Sequence, residues 1–232
     1  MLLTPRRRAY VAKPKIAKAG HGRRLAAPDR EQQILAGAIR YFAEVGFKGQ
    51  TRELAQRLGI TQPLLYRYFP TKQDLIERVF GEVFLKRLDP RWTKLIRDRS
   101  LALEERLVEF YQLYARATHT YEWIRIYMHS ALRGDDINRR YIRIVEDRIL
   151  KPICVELRHQ AGLTALEDVP VSELELEHVW VMHGGLFYYA VRKYIYHSRV
   201  STNFVGIVRR AVRAMIAGFA AVGIEQERGQ SE

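Results

Sequence analysis

Apolar residues recur along most of this chain at steps of three and four positions, the spacing that places them on one face of an α-helix. In the first such segment, about 30–45, the apolar positions are Ile34, Leu35, Ala38, Ile39, Phe42 and Val45. No segment shows the sustained apolar–polar alternation of a half-buried strand, and no internal repeat is visible. The sequence therefore predicts an all-α protein, with prolines and glycines at the helix boundaries.

The predicted helices divide into a short-helix region and a long-helix region. Helices are expected at about 30–45, 52–58, 61–69 and 71–88, and then at about 101–118, 121–133, 136–160, 172–197 and 203–223. Pro152 is expected to kink or divide the helix at 136–160. Two Ser/Thr-x-x-acidic patterns, Thr71 with Asp74 and Ser172 with Glu175, are typical of capping boxes that open helices.

The segment 52–72, "RELAQRLGITQPLLYRYFPTK", holds two short amphipathic runs separated by Gly59. Two short helices joined by a tight glycine turn form a helix-turn-helix. Gly59 can adopt positive φ at little cost, Thr61 is a plausible N-cap, and Pro63 falls in the first turn of the second helix, where a missing N–H is tolerated. The sequence therefore predicts an exposed second helix whose start can enter a major groove.

Aromatic and cationic residues follow directly on that second helix. Tyr66 and Tyr68 can stack on nucleic acid or donate hydrogen bonds to phosphate, and Arg67 and Lys72 bring positive charge to the flanking backbone. Tyr68 and Phe69 can equally be core residues, and we expect Phe69 to be one.

The stretch "GFKGQTRELAQRLGITQPLLYRYFPTKQDL" resembles the DNA-binding domain of the TetR (tetracycline repressor) family. The resemblance covers about residues 30–80, and the remaining chain matches only in the number and length of its helices. It implies an N-terminal three-helix DNA-binding domain and a C-terminal helical domain for dimerisation and effector binding. It further implies a two-fold dimeric repressor that leaves a palindromic operator when a small effector binds.

The resemblance also assigns roles to positions on the helix-turn-helix. Gln62, Pro63 and Leu64 lie at base-facing positions, Tyr66, Tyr68 and Lys72 lie at backbone-facing positions, and Arg67 can read a guanine edge or a phosphate. Family members commonly carry one more residue before the second helix, which leaves open how Thr51 and Arg52 align with the phosphate-contacting positions. The predicted DNA-binding set is Thr51, Arg52, Thr61, Gln62, Pro63, Leu64, Tyr66, Arg67, Tyr68 and Lys72.

Charge is unevenly distributed along the 232 residues, whose formal net charge is +13. Residues 1–28 carry eight basic and no acidic side chains, which leaves 31 basic against 26 acidic residues elsewhere. We therefore expect a basic, flexible N-terminal arm at 1–28 that either improves solubility or contacts DNA. It is followed by a DNA-binding domain with its connecting helix at 29–88, and by an effector-binding and dimerisation domain at 89–232.

The C-terminal half is rich in apolar and aromatic residues. The helix at 172–197 is apolar on more than one face, and the helix at 203–223 is lined by small residues. The two are therefore predicted to form a homodimer interface of two helices per subunit. Trp123, Tyr127, Trp180 and His183 are candidates for lining a pocket for a small, largely apolar effector. For each of them, ordinary core packing is the alternative.

Other functions have less support in the sequence. It contains no phosphate-binding loop, nucleophile elbow or catalytic triad, and its histidines lack metal-ligand spacing, so we expect no enzyme activity, cofactor or metal. Without a signal peptide or membrane-spanning run, the protein should be cytoplasmic and associated with the nucleoid through double-stranded DNA. A sequence-nonspecific nucleic-acid-organising protein, a helical enzyme and a transcriptional activator remain the alternatives.

Overall fold

The computed structural model describes residues 27–133, 136–163 and 168–229, and within these ranges the chain folds into α-helices with no strand. The helices are α1 Ala27–Val45, α2 Thr51–Arg57, α3 Gln62–Tyr68, α4 Lys72–Val83, α5 Arg91–Arg97, α6 Leu103–Thr118, α7 Tyr121–Arg133, α8 Asp136–Val145, α9 Lys151–Gln160, α10 Glu173–Tyr194 and α11 Phe204–Gly229. The predicted all-α fold is confirmed. The N-terminal arm, apart from its last two residues, lies outside the described ranges.

Local capping signals are confirmed at the expected positions. The Thr71 side chain accepts a hydrogen bond from the Asp74 N–H while the Asp74 carboxylate accepts from the Thr71 N–H, and Ser172 and Glu175 do the same at the start of α10. Because each box satisfies two backbone N–H groups that have no partner within the helix, it fixes where the helix begins.

The structure differs from the sequence expectation in the region of α4 and α5. The expected helix at 71–88 ends at Val83 and is followed by a 3₁₀ turn at Leu85–Arg87. The short helix α5, which was not expected, begins directly after Pro90 and buries Trp92 and Ile96. Two apolar positions one turn apart are too few for periodicity to reveal a helix of seven residues.

The expected helix at 136–160 is divided, as anticipated, but the division precedes the proline. The backbone widens into π-type turns at Glu146–Leu150, and Pro152 then lies in the first turn of α9. A proline has no N–H to donate to the preceding turn, and the wider turns accommodate its ring.

The first four helices form a head whose buried residues belong to one core shared with the rest of the described chain. Phe42 of α1 packs edge-on against Phe47, and Leu54, Leu65 and Phe69 bring α2, α3 and the following turn onto the same cluster, all 3% exposed or less. The expected core role of Phe69 is therefore confirmed. Burial of each apolar side chain of this size stabilises the folded protein by about 1.5–3 kcal/mol. The arrangement of the short helices is therefore set by this cluster.

Helices α5 to α11 form the larger body. Helix α11 packs against α6, α9 and α10, and α10 also contacts α7. A buried ion cluster joins α6, α9 and the segment after α5: the Glu156 carboxylate, 3% exposed, accepts from Arg106 at 2.8 Å and from Arg99 at 3.1 Å. A buried carboxylate needs such partners, because an unpaired charge in the interior is strongly destabilising.

Helix α7 connects the body to the head. It packs along α1, where Arg125 Nε donates to the carbonyl oxygen of Ala43 at 2.6 Å. Gly46 ends α1 with φ +73°, and the ring of His129 lies so close that a Cβ on Gly46 would be 3.0 Å from it. An α7 side chain thus bonds directly to C-terminal carbonyls of α1.

None of the helices described here is both long and apolar enough to cross a bilayer.

Candidate nucleic-acid interface and aromatic cavity

The turn between α2 and α3 is set by backbone hydrogen bonds around Gly59. Gly59 has φ +66°, and its N–H donates to the Gln56 carbonyl while the Ile60 N–H donates to the Ala55 carbonyl, each bond 3.0–3.1 Å long. Thr61 then caps α3, since its hydroxyl accepts from the Leu64 N–H at 3.3 Å. A residue with a Cβ is strained at such a φ, so glycine favours this sharp reversal.

One fully buried residue holds α3 against the head, and the other residues of the helix are exposed or half-buried. Leu65 is 1% exposed and packs in the head core. Around it, Thr61, Pro63 and Arg67 are exposed, whereas Gln62, Leu64, Tyr66 and Tyr68 are half-buried, and Tyr68 also packs against the core. The N-terminal half of the helix therefore forms a partly exposed ridge, and this is the part that enters a major groove in helix-turn-helix proteins.

Thr51, the first residue of α2, lies beneath this ridge instead of on its surface. It is only 9% exposed, and its hydroxyl lies 2.9 Å from the Tyr66 hydroxyl. The amide Nε2 of Gln62 donates to the same Thr51 oxygen at 3.2 Å. Sequence reasoning predicted these three residues separately, but the structure joins them into one hydrogen-bonded group that orients the start of α3 relative to α2.

The cations around the ridge differ in exposure and in whether a carboxylate of the protein already binds them. Arg52 and Arg67 are exposed, and neither forms an ion pair within the described ranges, while Lys72 is half-buried at the start of α4. Arg57 is instead bound to Glu44 and Glu53 at 2.6 and 2.8 Å, with its guanidinium over the Tyr41 ring. Burial and the hydrogen bond to Glu53 raise the pKa of Tyr41 to about 12. Arg57 thus braces α1 against α2, and Arg52 and Arg67 are left to attract phosphate.

The four residues selected as effector candidates lie together in the body. Trp123, Tyr127, Trp180 and His183 all line one cavity of about 80 Å³, which is bounded by α6, α7, α8 and α10. The Trp123 and Tyr127 rings stack with centroids 4.9 Å apart. Sequence reasoning did not select the remaining lining residues, which are Tyr114, Tyr141, Ile142, Val145, Gly184 and Phe187.

The cavity carries no charged side chain but has unsatisfied polar atoms. No carboxylate, lysine or arginine lines it. Within the described part of the chain, the Trp123 indole N–H and the His183 Nδ1 are buried without a hydrogen-bond partner. Burial, with a contribution from nearby His119, lowers the pKa of His183 to about 3, so the imidazole is neutral near pH 7. The lining therefore suits an uncharged, largely apolar molecule better than an ion.

Comparisons with known proteins agree with this architecture. Residues 34–79 match the family described as bacterial regulatory proteins, tetR family. The HTH-type transcriptional repressor KstR2 of Mycolicibacterium smegmatis is 28% identical over 109 residues, 47% of this chain and 53% of that protein. The repressor AcnR of Corynebacterium diphtheriae is 28% identical over 163 residues, 67% of this chain and 78% of that protein. The matched region thus spans only about half of KstR2.

A solved structure extends the likeness to the whole fold. A protein described as a TetR-family transcriptional regulator from Mesorhizobium loti superposes with a TM-score of 0.52 over 86% of this chain and 98% of its own. At 15% identity this likeness concerns the fold alone. The helix-turn-helix geometry at 51–68 and the family match at 34–79 together identify this part of the chain as a DNA-binding domain of the tetR family of bacterial regulatory proteins.

Proposed function

We propose that the protein is a homodimeric transcriptional repressor that binds a palindromic operator and leaves it when a small, uncharged effector opens the aromatic cavity. The observation that carries the DNA-reading part is the partly exposed N-terminal half of α3, which is anchored by the buried Leu65. An exposed helix held rigidly on a buried residue can enter a groove without losing its own order, which lowers the entropic cost of binding.

We propose that residues at the start of α3 read the bases, and that residues around them bind the phosphate backbone. The Gln62 side chain is half-exposed and offers donor and acceptor atoms that match an adenine edge, and Leu64 can contact a thymine methyl. Arg67, exposed and without an ion pair within the described ranges, suits a guanine edge or a phosphate. Tyr66, Tyr68, Arg52 and Lys72 are proposed to bind the backbone.

The dimer is proposed from an apolar stripe on α10. Leu174, Val181 and Tyr188 follow one another at seven-residue steps, and they are 72%, 77% and 52% exposed in the single chain. Ala214, Ala217 and Ala221 are exposed along α11, so another helix can approach closely. Large exposed apolar side chains aligned along one helix favour an interface, and a second copy would cover them in a four-helix arrangement.

Effector action is proposed to run through α7. That helix supplies Trp123 and Tyr127 to the cavity and, on its other side, Arg125 to the Ala43 carbonyl of α1. A cavity of about 80 Å³ holds only a few atoms, whereas typical ligand sites measure about 300–1,000 Å³. A larger effector must therefore separate α7 from α10, and this movement shifts the population toward head positions that no longer match the operator.

Selection of bound sequences from random duplexes tests the DNA-reading proposal. We expect a palindromic consensus with two half-sites, and we expect Gln62→Ala to change the preferred base at one position of each half-site. The matched control is Gln73→Ala, since Gln73 is an exposed glutamine outside α3. A selection that yields no consensus would instead support a sequence-nonspecific nucleic-acid-organising protein.

Sedimentation tests the dimer independently of DNA. Val181→Asp places a charge in the proposed interface and should yield monomers, because a buried unpaired carboxylate is strongly destabilising. Leu132→Asp is the matched control: Leu132 is 84% exposed on α7, away from the stripe. If Val181→Asp sediments like the control, α10 is not the interface.

A further inference from the structure

A second, larger hollow lies on the body outside the aromatic cavity. It is an open groove of about 450 Å³ between α6, α10 and the segment that leads into α11. This volume falls within the usual range for small-molecule sites. None of the four effector candidates lines the groove, and the groove and the cavity share no lining residue. The ring of Tyr114, in the cavity lining, lies 6.3 Å from the ring of His119, in the groove lining.

The groove is positively charged and has no acidic lining. Arg116 of α6 and Lys193 of α10 both line it, and no aspartate or glutamate does. Neither cation forms an ion pair within the described ranges; Lys193 lies over the Tyr194 ring with its nitrogen 4.9 Å from the centroid. In contrast, nearby Arg209 and Arg213 of α11 are both bound to Glu104 at 2.8 Å. Two cations directed to one groove without a protein anion favour an anionic ligand.

The walls of the groove are apolar and already fixed in place. The Phe204 ring packs against Tyr189 at 5.1 Å and against His119 at 5.8 Å. The Tyr189 hydroxyl donates to the Ser201 carbonyl at 2.7 Å, which holds the segment before α11 against α10. A site whose walls are ordered before binding avoids part of the entropic cost of ordering them.

His119 adds an unsatisfied polar group to this wall. Its Nδ1 is buried and has no hydrogen-bond partner in the part of the chain that the structure describes. Burial and the nearby charge of Lys193 lower the pKa of His119 to about 4, so the ring is neutral near pH 7 and carries one donor and one acceptor. His119 therefore contributes a neutral ring to the groove wall.

We propose that this groove binds an organic anion, a carboxylate with a flat apolar body, whose head contacts Arg116 and Lys193 and whose body packs on Phe204 and Tyr194. The proposal concerns binding to the protein without DNA, and it does not depend on the repressor proposal or on an effector in the aromatic cavity. It predicts discrimination by charge, which the uncharged aromatic cavity would not provide.

Calorimetric titration of the full chain with naphthalene-2-carboxylate tests the proposal, with naphthalene-2-carboxamide as the uncharged probe of the same shape. We expect the carboxylate to bind at least about tenfold tighter than the amide, because hydrogen bonds to charged groups are the stronger ones. Its affinity should fall as salt is raised, since both cations are exposed.

Three variants locate the site. Arg116→Gln and Lys193→Gln should each weaken carboxylate binding about fivefold and leave amide binding unchanged. Ala115→Trp, which fills the groove, should abolish binding of both probes. Lys94→Gln removes an exposed cation of α5 that does not line the groove and should bind like the wild type.

The outcomes that overturn the proposal are equally specific. Equal affinity for the carboxylate and the amide would exclude an anion site. Equal losses of carboxylate affinity in Arg116→Gln, Lys193→Gln and Lys94→Gln would exclude it as well. Undiminished binding to Ala115→Trp would place the probe elsewhere. Thermal unfolding of each variant checks that the fold is intact, and Lys193→Arg, which keeps the charge, must restore carboxylate binding if Lys193→Gln loses it through charge.

Discussion

The hydrogen-bonded group of Thr51, Tyr66 and Gln62 gives the sharpest test of how the reading helix is held. In Thr51→Val the side chain keeps its shape and loses the hydroxyl, so both bonds, 2.9 Å to Tyr66 and 3.2 Å to Gln62, are removed. Both bonds join uncharged groups, and each such bond contributes about 0.5–1.5 kcal/mol. Because Tyr66 and Gln62 are half-buried, water partly replaces the lost bonds.

We therefore expect Thr51→Val to lower the free energy of unfolding by about 1 kcal/mol, near the lower end for two bonds. Tyr66→Phe removes only the shorter bond. In a double-mutant cycle, the coupling free energy between the two substitutions should be about 0.5–1 kcal/mol. The measurement is denaturant unfolding of the four proteins, and Thr61→Val, which alters the cap of α3 at an exposed site, serves as a control for changes at that helix start.

The same cycle on operator affinity separates two roles for these hydroxyls. If they only orient α3, the coupling in DNA binding should not exceed the coupling in stability, and Thr51→Val should weaken binding by at most about fivefold. If they bind phosphate directly, each single variant loses affinity beyond its loss of stability. Additive unfolding free energies, with no coupling, would refute the argument that the pair orients the helix.

Three further predictions concern buried groups. Leu65→Ala, at a position 1% exposed, should destabilise the head by about 2–5 kcal/mol in denaturant unfolding and abolish operator binding. Burial lowers the pKa of His183 to about 3 in the folded protein. Between about pH 3 and pH 6.5 the unfolded chain therefore binds more protons than the folded protein, and the free energy of unfolding falls as the pH falls. The slope from this group is at most about 1.4 kcal/mol per pH unit, and His183→Gln should reduce the slope. Burial raises the pKa of Cys154 to about 12, so thiol reagents should label it only after unfolding.

The helix-turn-helix could be predicted closely because its determinants are local. A glycine at positive φ, a threonine cap and a proline in the first turn act within a few residues of each other, and the structure has each of them where the sequence placed it. The capping boxes of α4 and α10 were predictable for the same reason. Helix α5 was not predictable, because its two buried residues are too few to show a helical period, and their burial depends on packing against distant helices.

The sites show the same division. Aromatic density and spacing were enough to select Trp123, Tyr127, Trp180 and His183 as candidates. They could not show that these residues of α7 and α10 line one cavity of about 80 Å³. Thr51 was predicted at the DNA surface, and its burial under Tyr66 and Gln62 depends on how α3 crosses α2. The cationic groove was missed because Arg116 and Lys193 lie 77 positions apart in the chain.

The sequence by itself determined the all-α fold, the turn at Gly59 and the character of α3, because helix periodicity and capping act between near neighbours in the chain. Only the tertiary structure decided which cations remain unpaired, which hydroxyls are buried and where empty space is left. These properties depend on residues brought together from distant helices, and the packing that joins them is set by the whole core at once.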